Sequence, residues 1–173
     1  GYHLKNIADY DGAKKSYERA LEIDEKVYGP DHPEVAAGVN NLGGVLQALG
    51  DLTGAKESYE RALEIDEKAY GPDHPNVAIR ANNLGVVLRA LGDLTGAKES
   101  YERALEIDEK VYGPDHPKVA TDINNLGRVF YLLGDLESAQ ENLERALKIF
   151  QHFLGEDHPK TKTVRKNLES LRR

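Results

Sequence analysis

Four histidines are the residues of this chain whose type and spacing could do chemistry, because imidazole nitrogens are common metal ligands. His32, His74, His116 and His158 recur every 42 residues, each in a Gly-x-Asp-His-Pro segment. Equivalent residues of packed helices lie about 8–10 Å apart. Because zinc holds nitrogens at about 2.0–2.1 Å, the four side chains cannot converge on one ion. We expect no metal site, and predict that each histidine packs and forms hydrogen bonds within its own turn.

Other catalytic groups do not stand out. The chain has no Cys, no Walker-type loop, no His-Glu-x-x-His motif and no Gly-x-Ser-x-Gly motif. Its many carboxylates fall on helix faces that we expect to be exposed, where a shifted pKa is not expected. The sequence therefore predicts a protein that is not an enzyme and needs no cofactor.

The 42-residue period itself is the dominant feature of the chain. Asn-Asn-Leu-Gly occurs at residues 40–43, 82–85 and 124–127. A fixed period of this length indicates a stacked array of one supersecondary unit. We predict a single solenoid domain over residues 1–173. Its parts are a partial first repeat (1–32), full repeats (33–74, 75–116 and 117–158) and a C-terminal capping helix (159–173).

Each repeat is predicted to be two antiparallel helices, and no segment has the period-two alternation of a strand. The first helix carries an apolar stripe (Val35, Val39, Leu42, Leu46 and Leu49). Asp31 is its predicted N-cap and Gly50 its left-handed C-cap. The second helix is predicted from about Leu52 to Tyr70. In the partial first repeat, Gly1 aligns with Gly43, so we predict a first helix that lacks its N-terminal half. We predict a second helix from about Asp11 to Tyr28, with an exposed apolar face.

Glycine recurs in the middle of the first helices, at Gly43 and its equivalents, where it costs about 1 kcal/mol relative to Ala. This repeated cost predicts a close approach of the partner helix, with Ala55 and Ala62 as the complementary small residues. On the outer face, the i,i+4 pairs Glu57–Arg61 and Glu64–Lys68 are predicted to be solvated.

Bulk composition limits the classes of partner. The net charge of −7 argues against nucleic acid as the main partner. Residues 159–173 carry a charge of +5; contact with nucleic acid or an acidic surface is one interpretation, and we favour a solvated end cap. No apolar run approaches the length of a membrane span, and no signal peptide is visible. We expect a cytoplasmic protein with no membrane partner. Because the chain begins at Gly1 rather than Met, we interpret it as a fragment.

The repeat resembles a known family. Its matching residues are Leu42-Gly43, Leu46, Gly50-Asp51, Ala55, Tyr59 and Ala62-Leu63, which are similar to the tetratricopeptide repeat pattern. Asp66 replaces the usual Pro, so the second helix runs on and the common unit of about 34 residues becomes longer. With its GPDHP segment, the unit resembles kinesin-light-chain repeats, and similar repeats occur in signalling proteins related to NOD-like receptors. The resemblance implies an all-α, right-handed superhelical solenoid whose first helices line a concave groove.

The same resemblance implies which residues bind. The predicted peptide-binding positions are Asn40, Asn41, Gln47, Asn82, Asn83, Arg89, Asn124, Asn125, Arg128 and Tyr131. Asn has both donors and an acceptor, so it can pair with any peptide backbone. Arg89 and Arg128 would recognise acidic groups of the partner. The alternative is that the asparagines bond to neighbouring helices and only fix repeat packing.

The predicted function is a non-catalytic protein–protein interaction scaffold that binds a partner peptide or helix in the groove. Two alternatives stay open. One is a structural array that stacks end to end with other copies. The other is the sensor arm of a larger NOD-like signalling protein. Residues 51–75 and 93–117 differ only at Ala69 and Val111, which indicates recent tandem duplication or a consensus array. The irregular C-terminal unit favours duplication.

Overall fold

The computed structural model describes the backbone of residues 2–171 and the side chains of residues 10–171. Within this range the backbone forms eight helices and no strand, which confirms the all-α class. The helices are α1 (Tyr2–Tyr28), α2 (Pro33–Leu49), α3 (Leu52–Tyr70), α4 (Pro75–Leu91), α5 (Leu94–Tyr112), α6 (Pro117–Leu133), α7 (Leu136–Leu154) and α8 (Pro159–Ser170).

The chain divides into two compact units, Gly1–Leu91 and Gly92–Arg173. In the first unit α1 packs on α2, α2 on α3 and α3 on α4. In the second unit α5 packs on α6, α6 on α7 and α7 on α8. Each unit is therefore built from helices that contact their neighbours in sequence, as a repeat array requires.

The first helices begin at histidine, so the prediction that Asp31 is the N-cap was wrong. Pro33 is the first helical residue, which makes His32 the N-cap and leaves Asp31 one residue too early. The His32 Nδ1 atom accepts a hydrogen bond from the Glu34 N–H at 3.2 Å. The His32 ring also stacks on Tyr28, with centroids 4.8 Å apart. The predicted role of histidine in packing and hydrogen bonding within the turn is confirmed.

The second helices begin at aspartate, a cap that the sequence analysis did not single out. The Asp51 Oδ1 atom accepts from the Gly54 N–H at 2.9 Å. Asp93 and Asp135 cap α5 and α7 in the same way. A carboxylate at this position also interacts favourably with the helix dipole.

Glycine decides where the first helix of a repeat ends. Gly50 has φ +86° and ψ 3°, the left-handed C-cap that was predicted. The 42-residue period places Ala8 at the equivalent position of the first repeat. Because Ala does not readily adopt that conformation, the chain continues as the single helix α1 from Tyr2. The expectation of a helix starting near Asp11 was wrong.

Close approach at the mid-helix glycines is confirmed, but the nearest neighbours differ from those predicted. A Cβ atom on Gly43 would lie 3.0 Å from Tyr59 Cε1 and 3.2 Å from Ser58 Cβ. A Cβ atom on Gly127 would lie 2.9 Å from Leu143 Cγ. The glycines therefore make room for larger side chains of the second helix. Ala55 and Ala62 are buried, and the carbonyl oxygen of Ala139, the repeat equivalent of Ala55, lies 3.3 Å from a Cβ atom on Gly127.

One predicted surface ion pair is present and the other is replaced. The Lys68 Nζ atom lies 2.8 Å from the Glu64 carboxylate, as predicted. Arg61, however, pairs with Glu25 on α1 rather than with Glu57. Arg145 reaches Glu109 on α5 in the same manner, so this arginine position links successive second helices.

Candidate functional site

The predicted binding residues lie on the first helices α2, α4 and α6. We call the side of each helix that carries these residues its groove face. Asn40, Asn83 and Arg89 are half-buried, Asn41 is exposed, and Tyr131 is exposed next to Leu132. Apart from Asn41 and Tyr131, the predicted residues lie partly within the protein surface rather than standing free in solvent.

Asparagine side chains on the groove face pair with one another. In the first unit, Asn83 Nδ2 donates to Asn40 Oδ1 at 2.9 Å. In the second unit, Asn167 Nδ2 donates to Asn124 Oδ1 at 3.0 Å. In each bond, the acceptor is the first Asn of an Asn-Asn motif. The donor lies in the first helix of the following repeat, at the position equivalent to the second Asn. Asn167 was missed because the Asn-Asn-Leu-Gly motif is lost in α8, although its 42-residue spacing from Asn125 could have identified it.

Gln47 is also engaged within the fold. Its Oε1 atom accepts from the Tyr59 hydroxyl at 3.3 Å, so the amide ties α2 to α3. These contacts support a packing role for Asn40, Asn83 and Gln47. These hydrogen bonds do not use every donor and acceptor of the amides, because an Asn side chain offers two donors and one acceptor with two lone pairs.

A cavity of about 240 Å³ lies beside the groove face of α6 in the second unit. It opens between α6 and α8. Its lining comprises Thr121, Asn124, Phe150, Pro159, Lys160, Thr163 and Val164. Of the ten predicted residues, only Asn124 lines this cavity. The volume exceeds that of one large apolar side chain, and its lining is mostly apolar.

Lys160 places a positive charge at this cavity. Its Nζ atom donates to Thr121 Oγ1 at 3.2 Å and lies 5.6 Å from the centre of the Phe150 ring. Lys160 is exposed, and its neighbours here are a hydroxyl and an aromatic face rather than a carboxylate. The cavity can therefore accept an apolar side chain and, beside it, a negative group.

The sequence contains a signal for this cavity in the positions that are equivalent between repeats. The period aligns Phe150 with Asp108 and Asp66, and Val164 with Asp122 and Arg80. Both positions are charged in the two middle combinations, and both are apolar side chains in the last one. That change creates an apolar floor between α6 and α8, where the two middle combinations bury charge.

The expectation that the carboxylates are exposed was wrong for three aspartates. Asp66 on α3, Asp108 on α5 and Asp122 on α6 are buried. α3 packs on both α2 and α4 and so has a second inward face, and α5 and α6 pack on each other. The Asp66 Oδ2 atom lies 2.9 Å from Arg80 Nε, and both side chains are buried. Burial raises the pKa of Asp66, while the positive charge of Arg80 opposes that rise.

Asp108 and Asp122 face each other without such a cation. Burial is the main cause that raises the pKa of both carboxyls. For Asp122, burial and the negative charge of Asp108 raise the pKa to about 8. Each carboxyl acts on the pKa of the other, and a proton on one of them relieves the repulsion between two buried like charges.

Comparison with family models now decides the classification. Tetratricopeptide-repeat models match residues 4–34, 34–110, 80–152 and 124–173. The chain belongs to the tetratricopeptide-repeat family. Among curated proteins, none matches the chain.

Solved structures of tetratricopeptide-repeat proteins share the fold. BtubC (BKLC) from P. vanneervenii is 28% identical, with a TM-score of 0.86 over 96% of this chain and 66% of that one. A kinesin-light-chain-like protein of Podosopora anserina with nearly identical TPR-like repeats is 24% identical. Its TM-score is 0.81 over 98% of this chain and 81% of that one. The apo form of RapI is 19% identical, with a TM-score of 0.82 over 98% of this chain and 59% of that one.

These findings establish the solenoid class and a general role. Tetratricopeptide repeats form protein-interaction scaffolds that bind protein partners, and they are typically non-catalytic. Because this chain spans about two thirds of BtubC, the activity and partners of a whole relative do not transfer to it. None of the described helices is long and apolar enough to cross a membrane. Among the described side chains, no group of three or more His, Asp or Glu residues could hold a metal ion.

Proposed function

We propose that this tetratricopeptide-repeat chain is a scaffold that binds an extended or helical segment of a partner protein on its groove face. The observation that carries the proposal is the cavity between α6 and α8. A site for one anchoring side chain, beside groups that pair with backbone or charge, is a common design for peptide recognition. Asn124 on α6 and Lys160 on α8 supply those groups here.

The partner segment is proposed to carry an apolar anchor with an acidic group nearby. Phe150 and Val164 would contact the anchor, and the Lys160 ammonium would pair with the carboxylate. Arg89 and Arg128 are proposed to contribute further contacts to acidic groups along the groove faces. Tyr131 and Leu132, which are exposed on α6, would extend the apolar contact.

The asparagines are proposed to have two roles at once. Asn40–Asn83 and Asn124–Asn167 hold successive first helices in register through one hydrogen bond each. One hydrogen bond does not use all the donors and lone pairs of an Asn amide, and we propose that the others pair with a peptide backbone. Asn41, which is exposed, is proposed to act mainly in recognition.

The test is selection of binders from a displayed random peptide library on the wild-type chain, followed by affinity measurement on variants. Lys160→Glu reverses the charge at the cavity, so it should repel the acidic group of the partner. We expect a loss of affinity of at least about tenfold, which corresponds to about 1.4 kcal/mol. Lys148→Glu is the matched control. It makes the same charge change at an exposed lysine beside a different cavity of the second unit.

Equal affinities for wild type, Lys160→Glu and Asn124→Ala, with far-ultraviolet circular dichroism unchanged, would contradict the proposed site. A second pair of substitutions separates recognition from packing in the first unit. If Asn83→Ala and Arg89→Gln abolish binding while helicity is kept, both residues act in recognition. If helicity collapses instead, they are structural.

End-to-end association with a second copy is a second candidate, supported by α1. Ile23 is 53% exposed, whereas its repeat equivalents Ile65, Ile107 and Ile149 are 2%, 1% and 4% exposed. Such a core-type position on an open helix face could stack on another molecule. Light scattering over a wide concentration range tests it. A mass that stays near 19.2 kDa would reject this candidate, and a rise that Ile23→Glu abolishes would support it.

A further inference from the structure

One buried layer of the repeat changes its chemistry along the chain. It combines a position near the end of each second helix with a position in the following first helix. The successive combinations are Asp24 with Gly38, Asp66 with Arg80, Asp108 with Asp122, and Phe150 with Val164. Only the third combination, between α5 and α6, brings two acidic residues together.

Both carboxyls of this pair are almost completely removed from solvent. Asp108 is 7% exposed and Asp122 is 4% exposed. Asp108 Oδ1 and Asp122 Oδ2 are buried and accept no hydrogen bond within the described part of the chain. Two ionised carboxylates cannot be held together in this way without a large penalty, because each charge loses hydration and repels the other.

The groups around the pair do not provide a direct counter-ion. Lys118 on α6 acts on both carboxyls from a distance, Lys160 on α8 acts on Asp122, and His116 acts on Asp108. The Nζ atom of Lys118 is engaged by the Tyr112 hydroxyl at 2.8 Å, and that of Lys160 by Thr121.

Buried apolar side chains of α7, and one of α8, pack in one cluster with α6. They are Leu143, Ala146, Ile149 and Phe150, with Val164 from α8. At Asp122, burial and the charge of Asp108 are the largest effects on the pKa and outweigh the two lysines. At Asp108, burial is the largest effect, and the charge of Lys118 is the largest one that opposes it.

We propose that Asp108 and Asp122 form a proton-dependent latch between α5 and α6. When the pair holds one proton, the carboxyl–carboxylate hydrogen bond fastens the two helices. When that proton leaves, two like charges face each other in an apolar layer and the contact between α5 and α6 opens. This inference concerns regulation of the second unit and does not depend on the proposed partner.

The direction of the pH effect follows from linkage. In the unfolded chain an aspartate has a pKa near 3.8, whereas burial and Asp108 raise the folded pKa of Asp122 to about 8. Between those pH values the folded state binds more protons than the unfolded state, so stability falls as pH rises. The stability that this proton contributes is fully present below about pH 4. It decreases as the pH rises and is lost once the pH passes about 8.

Hydrogen exchange of backbone amides in the full chain tests the latch directly. After correction for the intrinsic pH dependence of exchange, we expect opening of α5 and α6 to increase at least about tenfold between pH 6 and pH 9. The contact between α3 and α4, with Asp66 and Arg80, is the internal reference and should change much less. Asp122→Asn keeps the shape and a hydrogen bond but removes the second charge, so it should abolish the increase.

Carbon-13 NMR titration of the aspartate carboxyls checks the chemistry independently. The pair should titrate well above the other aspartates, and Asp108→Asn provides a second variant if Asp122→Asn folds poorly. The latch is rejected if wild-type α5 and α6 open equally at both pH values. It is also rejected if Asp122→Asn retains the increase, or if protection follows added sodium or calcium rather than pH.

Discussion

The α3–α4 contact and the α5–α6 contact occupy equivalent places in successive repeats, yet they bury opposite chemistry. In the first, Asp66 meets Arg80. In the second, Asp108 meets Asp122. The second helices α3 and α5 have the same sequence except at Ala69 and Val111. The difference therefore resides in the first helices, and one substitution per repeat converts a buried salt bridge into a buried acid pair.

In the two repeats compared, the second helices α3 and α5 are nearly identical, whereas the first helices α4 and α6 vary. The constant helix supplies the caps, the core residues and an aspartate. The variable helix supplies the groove residues and the residue that faces that aspartate. Changes at Arg80 or Asp122 should therefore act on individual helix contacts without altering the repeat fold.

Removing Arg80 should produce the largest effect. Arg80→Ala leaves Asp66 buried without its cation, and breaking a buried pair in this way costs about 3–5 kcal/mol. Urea unfolding followed by circular dichroism would measure the loss. Arg145→Ala is the matched control, because its pair with Glu109 is exposed and such pairs contribute about 0.2–1 kcal/mol. Equal losses in the two variants would show that the burial of Arg80 has no energetic consequence.

Replacing both partners of the same pair with apolar residues should leave the free energy of unfolding unchanged or raise it. Asp66→Phe with Arg80→Val copies the combination that Phe150 and Val164 form in the last repeat. An apolar replacement of a buried ion pair is often neutral or stabilising by about 1–4 kcal/mol. The midpoint of urea unfolding should stay constant or rise. A marked fall would mean that the surroundings of Asp66 cannot accommodate the larger ring.

The repeat fold was predictable because its signals are local and recur. The spacing of Val35, Val39 and Leu46 defines a buried stripe, and Gly50 ends the helix wherever glycine is kept. The histidine role was predictable for the same reason. The choice between Asp31 and His32 as the cap was not, since both residue types suit a turn and only the position of Pro33 decides.

The interior charges were not predicted because a helical stripe describes packing on one neighbour. α3 contacts both α2 and α4, so Asp66 falls on an inner side that the stripe does not reveal, and Asp108 is buried at the equivalent position of α5. The cavity beside α6 depends on the same layer, through Phe150 and Val164. Comparing equivalent positions between repeats, rather than positions within one helix, would have identified both.

Glycine at the centre of α2 and α6 allows a further comparison of the two units. Gly127→Ala should cost about 1–3 kcal/mol, because its Cβ would meet the branched Leu143 Cγ at 2.9 Å. Gly43→Ala should cost less, since its nearest neighbour at 3.0 Å is an edge atom of the Tyr59 ring. The helix propensity of Ala offsets part of each cost. Thermal unfolding of both variants would test the order, and a larger loss for Gly43→Ala would contradict it.

The smallest effect is expected at the asparagine pairs, where the two units should respond alike in stability but not in binding. Asn83→Ala and Asn167→Ala each remove one half-buried side-chain hydrogen bond, worth about 0.5–1.5 kcal/mol. Of these two variants, only Asn167→Ala frees a residue of the cavity lining from its hydrogen bond, because the partner of Asn167 is Asn124. Peptides that depend on Lys160 should therefore lose affinity for Asn167→Ala and keep it for Asn83→Ala. If both variants bind such peptides as the wild type does, Asn124 need not be held in place for recognition, and the asparagine pairs serve packing alone.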